Sequence, residues 1–310
     1  MAAFTAKDVQ ALRESTGCGM MDCKKALTEA NGDMDKAVEL LREKGLAASQ
    51  KKAGRIAAEG TVYAVVDEAK KVGAIIEVNA ETDFVAKNDK FMSFVKDCAA
   101  TVIDAAPADL DALMATTVSG RKGTVEEELR ELILVIGENM KVRRFERYEG
   151  DLVSYIHGGG RIGVMVSFDV ADEAAASKAE FKDMAKDIAM QIAALPAAYL
   201  DEKSVPAEVI AKEKEILLAQ IENDPKTKGK PAQVKEKMIE GKIKKYYKEN
   251  CLVDQAFIKN GDISVGQFVA DTAKALGTTI SIKTYTRYEK GEGIEKRVDD
   301  FASEVASMVK

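Results

Sequence analysis

The chain is poor in the residues that make metal and redox centres: 310 residues contain one histidine, His157, and four cysteines, Cys18, Cys23, Cys98 and Cys251. No two cysteines have C-x-x-C spacing, so the ligand pattern of a structural zinc site is missing. Free thiols fit a reducing compartment, which predicts a cytoplasmic protein. There is no apolar run near the ~20 residues that span a bilayer, and no charged segment followed by an apolar one at the start. The expectation is a soluble, unprocessed chain with no membrane partner. An excess of positive charge is also lacking. Lys plus Arg total 46 against 52 Asp plus Glu, a net charge of −6, which argues against direct nucleic-acid binding through neutralised phosphates. The short basic runs KKAGR (51–55) and KIKKYYK (242–248) read as solvated faces.

Signatures of nucleotide and acyl chemistry are missing or misplaced. No G-x-x-x-x-G-K-[ST] loop occurs, so the usual cradle for nucleotide phosphates is absent. HGGGRIG (157–163) has Gly158, Gly160 and Gly163 at dinucleotide-fingerprint spacing, but it precedes the strand-like IGVMVSFDV instead of following a strand and opening a helix. The same HGGG resembles an esterase oxyanion loop, yet no G-x-S-x-G elbow accompanies it. His157 is open to three readings, a proton carrier, a surface contact or a satisfied loop histidine, with the last favoured.

What the sequence does contain begins with three short helices. Thr5 and Asp8 form a capping pair before a helical face started by Val9, Leu12 and Arg13, and Gly17 ends it. MMDCKKALTEA (20–30) places Met20, Cys23, Lys24 and Leu27 at helical spacing, Asn31-Gly32 stops it, and Asp33 can cap MDKAVELLREKG (34–45). AASQKKAGRIAAEG (47–60) reads as a linker or mobile helix, with a boundary near Arg55. Residues 1–55 are thus expected to be a small docking module with its linker, since such modules bind more often than they catalyse.

An internal repeat organises the rest. VGAIIEV through FMSFVKDCAATVIDAAP (72–107) aligns with RIGVMVSFDV through FKDMAKDIAMQIAALP (161–196), with Gly73/Gly163, Phe91/Phe181 and Asp97/Asp187 all 90 residues apart. Each copy closes with a related strand, VRRFERYEG (142–150) and IKTYTRYEKG (282–291), in which Arg147 and Arg287 are 140 apart. The second copy is longer by 50 residues, and the excess lies in 205–250. There Val209, Ile216, Leu217 and Ile221 form one apolar stripe, and Val234, Met238 and Ile243 another after Pro231, the pattern of an inserted antiparallel helical hairpin. The expected divisions are 56–150 for the first copy, 151–204 and 251–290 for the second, 205–250 for the insertion and 291–310 for a C-terminal helical module. In the last, Val298, Phe301, Val305 and Met308 share one face. The fold class is α+β.

The repeat supplies a control on NAETDFVAKND (79–89), where Phe84 stands among polar residues at a strand exit. At the offset of 90, Phe84 meets Ala174 and Asp83 meets Glu173. A core position shared by two copies of one fold would hold similar volumes. Phe84 therefore reads as an exposed binding anchor.

LRESTGCGMMDCKKALTEANGD (12–33), ETDFVAKND (81–89), IGENMKVRR (136–144), YIHGGGRIGV (155–164) and GEGIEK (291–296), in this order over nearly the whole chain, resemble the bacterial elongation factor Ts family. The resemblance implies a non-enzymatic guanine-nucleotide exchange factor for the GTPase elongation factor Tu. It also implies an N-terminal module similar to ubiquitin-associated domains, a duplicated core, a coiled-coil insertion and no cofactor. It assigns Thr82, Asp83 and Phe84 to a wedge that disturbs the magnesium and phosphate side of the partner's nucleotide site. Arg13, Met20, Met21 and Lys24 would grip the partner from the N-terminal module, and Ile136, Gly137 and His157 from the core. One departure from the family pattern is the additional glycine beside His157. Two rivals remain at this stage: an acyl-transfer or redox enzyme using His157 and the glycine loop, and a passive GTPase-binding scaffold or chaperone. The hairpin can serve either a homodimer or a contact with the partner.

Overall fold

The computed structural model of the chain describes residues 4–295. Helices α1 (Ala6–Thr16), α2 (Met20–Glu29) and α3 (Met34–Lys52) come first. Strands β1 (Glu59–Asp67) and β2 (Val72–Ala80) follow, then α4 (Asp83–Ala86), α5 (Asp89–Ala105), α6 (Leu110–Ala115), α7 (Val125–Ile136) and β3 (Met140–Glu149). The second half repeats the opening with β4 (Asp151–His157), β5 (Ile162–Val170), α8 (Glu173–Ala176) and α9 (Ala179–Ala194). It continues through α10 (Ala207–Asn223), α11 (Ala232–Asn250), β6 (Ala256–Phe257), β7 (Asn260–Ser264), α12 (Val265–Leu276) and β8 (Ile280–Glu289). The molecule is mixed helix and sheet, as the class α+β requires. The helix expected over the C-terminal module lies outside the described residues.

The first three helices begin and end where local chemistry dictates. Thr5 and Asp8 form a reciprocal capping box, Gly17 ends α1 at φ 70°, and Asp33 caps α3 through the Lys36 amide at 3.0 Å. Leu12, Cys23, Ala26, Leu27, Ala37 and Leu41 bury a small core between them. This core is not self-contained, because Leu134 and Val135 of α7 pack against it. The same contact accounts for a difference from expectation: α3 does not stop at Gly45, and the first part of the 47–60 stretch is its continuation to Lys52. Gly45 is buried, and a Cβ there would stand 3.6 Å from the Arg130 carbonyl of α7. Gly45 thus lies in ordinary contact with α7, and Arg42 adds an ion pair to Glu131 at 3.2 Å.

The two copies are each a three-stranded antiparallel sheet, ordered β1-β2-β3 and β4-β5-β8, with bulges at Glu77/Val78 and Ser167/Phe168, again 90 residues apart. One face of the first sheet is covered by α5 and α7, where Phe91, Phe94, Val95 and Ile133 join Ile76 and Val78. Phe181, Ile188 and Ile192 of α9 do the same for Val164 and Val166 in the second. The remaining faces meet each other through Val62, Ala64, Ile75, Met165 and Tyr288. Both faces of β2 are therefore dry, and all nine of its residues are buried. That is why the run VGAIIEV lacks the alternation of an ordinary antiparallel strand. Gly73 and Gly163 lie where the sheets touch: a Cβ on Gly163 would come within 2.4 Å of Val62 Cγ1, and one on Gly73 within 2.9 Å of Leu152 Cδ1.

Helices α10 and α11 form the insertion. They run antiparallel, with Lys235 facing Glu222 at 3.9 Å and Lys242 bonding Gln220 at 3.4 Å. Of the two expected stripes only Leu217, Ile221 and Ile243 are buried, while Ile216 and Val234 face solvent.

Candidate functional site

The exit of β2 leads straight into the one-turn helix α4. A single turn offers one inward position, and Val85 occupies it, buried at 4 % exposure. Phe84, its neighbour, is 78 % exposed. The second copy shows the same geometry, with Ala175 buried and Ala174 exposed in α8. The position of Phe84 faces solvent in both copies, so core demand does not explain an aromatic there.

The turn that carries Phe84 is held by residues far away in the chain. The Thr82 amide donates to Glu138 Oε2 at 3.0 Å, and the Thr82 hydroxyl to Glu138 Oε1 at 2.8 Å. One residue on each side, the Asn139 amide donates to Glu81 Oε1 at 2.5 Å. The Asn139 side chain also donates to the Arg55 carbonyl at 2.7 Å, and the Arg55 guanidinium stands 3.5 Å from Glu81. Asp83 pairs with Lys87 at 3.2 Å on the solvent side. Residues 55, 81–84 and 136–139 thus form one rim. Ile136 closes α7 half-buried, and Gly137 turns the chain at φ 88°, which aims Glu138 at Thr82.

The N-terminal module meets this half of the core at Gly17, beside Lys90 and Val135. Arg13 and Lys24 are exposed, and Met20 and Met21 keep 44 % and 63 % of their surface. The corner between them passes Lys90, whose Nζ stands 2.6 Å from where a Gly17 Cβ would lie, six residues beyond Phe84. His157 belongs to the other sheet. It is exposed at the end of β4, and its Nδ1 is 3.1 Å from the Tyr155 hydroxyl. The glycines that follow form the β4–β5 hairpin turn, with φ of 58°, 63° and 95° at Gly158, Gly159 and Gly160. Gly160 lies so close to β1 that a Cβ would fall 1.9 Å from Thr61 Oγ1, and its carbonyl accepts from the Val62 amide at 2.8 Å. Glu59, three residues earlier, pairs with Ala80 at the end of β2. The hairpin turn is therefore about 10 Å along β1 from the place where β2 ends, and His157 is not part of the rim.

A hairpin turn cannot act as a dinucleotide loop, which needs a helix N-terminus behind its glycines. The enzyme reading also lacks a thiolate to pair with His157. All four cysteines are buried, and burial raises the thiols of Cys18, Cys98 and Cys251, the last to about 11.

A second polar cluster ties down GEGIEK. Glu77, fully buried in β2, accepts from Arg144 Nε at 2.6 Å, the Gly291 amide at 2.8 Å, Arg143 Nη1 at 3.0 Å and Asn79 Nδ2 at 3.0 Å. Burial pushes its carboxyl up, but the bonds from Gly291, Asn79 and Arg144 outweigh it and hold the group below the usual carboxylate value. Neither this cluster nor the Glu138 contact was legible as such. Both partners stood inside motifs already visible, IGENM and GEGIEK, but the distances that join them are tertiary.

The site is thus a solvent-facing aromatic on a turn held by the remote Glu138 carboxylate and the Asn139 amide. The family model for elongation factor TS matches residues 81–292, more than half of the chain. Elongation factor Ts of Clostridium perfringens (strain SM101 / Type A) is 53 % identical over 308 residues, 98 % of this chain and 99 % of that protein. That of Clostridioides difficile (strain 630) is 48 % identical over 313 residues with both chains fully covered, and that of Symbiobacterium thermophilum 47 % over 309 residues, 98 % of each. The chain belongs to the elongation factor Ts family, and its role is in translation elongation. Among the described residues no helix is long and apolar enough to cross a membrane.

Proposed function

We propose that the chain is a cytoplasmic guanine-nucleotide exchange factor that binds elongation factor Tu carrying GDP and promotes release of the nucleotide. The observation that carries this reading is Phe84, a large apolar side chain left exposed on a turn fixed by the 138–139 loop, where the duplicate has alanine. Family membership supports the same reading. In it, Thr82, Asp83 and Phe84 press into the partner's GTP-binding domain and disturb the magnesium and phosphate side of its nucleotide site. Arg13, Met20, Met21 and Lys24 grip that domain from a module of the ubiquitin-associated kind formed by residues 1–55. Ile136, Gly137 and His157 line the core's side of the contact, and the α10–α11 pair is a coiled coil available to the partner or to a second copy.

Exchange of this kind requires no bond chemistry. It requires a ternary complex in which factor and nucleotide each weaken the other's binding, by the same factor in both directions. The test is GDP release from purified elongation factor Tu with and without the chain. Faster release is expected. Binding without acceleration would replace this function by that of a passive scaffold.

A further inference from the structure

Thr82 occupies the N-cap of α4, where a threonine hydroxyl ordinarily accepts a hydrogen bond from the helix it starts. It makes no such bond. Its amide and its hydroxyl instead both donate to the carboxylate of Glu138, at 3.0 Å and 2.8 Å, one to each oxygen. Two bonds to one charged group fix the peptide plane and the side-chain rotamer together, and bonds to an ionised acceptor are stronger than neutral ones. The residue so fixed is two positions before Phe84.

The duplicate shows that the fold does not require this arrangement. At the offset of 140 that relates the closing strands, Glu138 corresponds to Thr278, and at the offset of 90 Thr82 corresponds to Asp172. At that pair of positions there is one bond, from the Asp172 amide to the Thr278 hydroxyl at 3.2 Å. Asp172 caps its own helix in the usual way, accepting from the Ala174 amide at 3.0 Å. One copy carries an exposed phenylalanine and a two-point ionic clamp, and the other an alanine and one neutral bond. The neighbouring loop contact differs in the same sense: Asn139 reaches the Glu81 carboxylate at 2.5 Å, whereas Ala171 and Thr279 are joined through backbone at 3.1 Å.

We propose that Glu138 is a positioning residue for nucleotide exchange: its clamp on Thr82 holds Phe84 in the orientation that enters the partner and makes the 136–139 loop and the 82–84 turn move as one body. This rests on the reading of Phe84 as the exchange wedge. Removing the clamp leaves Phe84 present and exposed but free to sample orientations. The loss then falls on the maximal rate of release more than on affinity, because the other contacts still dock the chain.

The test uses the full chain with Glu138→Ala and Glu138→Gln. Amide hydrogen exchange at Thr82, measured on the free protein, is expected to quicken about tenfold or more in Glu138→Ala and less in Glu138→Gln, which keeps a neutral acceptor. With elongation factor Tu and labelled GDP, Glu138→Ala should lower the saturated release rate about tenfold while the half-saturating concentration changes less than about threefold. Glu138→Gln should recover part of the rate. Unchanged Thr82 protection, or an unchanged saturated rate once protection is lost, would overturn the positioning role. So would a loss confined to half-saturation. Failure of the unaltered chain to accelerate release would instead overturn the exchange function itself, and is visible before any variant is compared.

Discussion

Replacing Phe84 by alanine gives the first copy the residue that the second carries at the same place, and the structure sets the size of each consequence. About a fifth of the side chain is covered, since 78 % of it is exposed. A fully buried phenylalanine removes roughly 150–250 Å² from water, so the covered part is about 40 Å², worth about 1 kcal/mol at most at 25 cal/mol per Å². Some of that survives in the alanine Cβ. Thermal unfolding should therefore shift by no more than about 3 °C, whereas truncating a core phenylalanine costs about 3–5 kcal/mol. The effect on exchange should be the reverse. A central aromatic anchor is commonly worth about 2 kcal/mol or more, which is about thirtyfold in the rate of GDP release. Melting, affinity for elongation factor Tu and stimulated GDP release should be measured on one preparation of Phe84→Ala. A stable variant that binds and exchanges normally would refute the wedge, and a loss of several kcal/mol in stability would refute the solvent-facing geometry.

Deleting residues 1–55 should weaken binding to the partner, but it should also lower the melting temperature of the remainder, because Leu134 and Val135 lose the cover of the first three helices; an unchanged melting temperature measured by calorimetry would contradict that contact. Replacing residues 208–245 by a short Gly/Ser loop should leave a cooperatively unfolding core, since the buried residues Leu217, Ile221 and Ile243 belong to neither sheet's core cluster; a broadened or missing thermal transition would show that the core depends on it. Glu77 has a folded-state pKa below its unfolded value, so the stability it contributes is present above about pH 4.3 and disappears as pH falls through the lower folded value. Glu77→Gln should cost about 2–3 kcal/mol at neutral pH, toward the low side for a broken buried pair because both arginines keep some solvent. The same variant should flatten the acid limb of stability in urea titrations below about pH 4.3; an unaltered limb would mean that other carboxylates govern it.

The sequence by itself determined what is encoded within a turn or by repetition. Thr5, Asp8 and Asp33 act on amides three residues away, and Gly17 and Gly32 supply left-handed backbone where helices stop, so those ends were readable from neighbours alone. Duplication made Phe84 readable too, because Ala174 reports what the fold needs at that place. Tertiary structure decided the rest. Gly45 has the same local look as a helix stop, and only the nearness of the Arg130 carbonyl shows it to be a place where two helices touch. Gly73 and Gly163 reveal their purpose only when the two sheets are laid against each other. The bonds that hold the Phe84 turn join Thr82 to Glu138, and those that tie down the chain after the last strand join Glu77 to Gly291, across 56 and 214 residues. Hydrophobic period and capping carry no information at that range. Which loops meet is set by how strands pair and sheets stack, and the carboxylates then hold in place what that stacking has brought together.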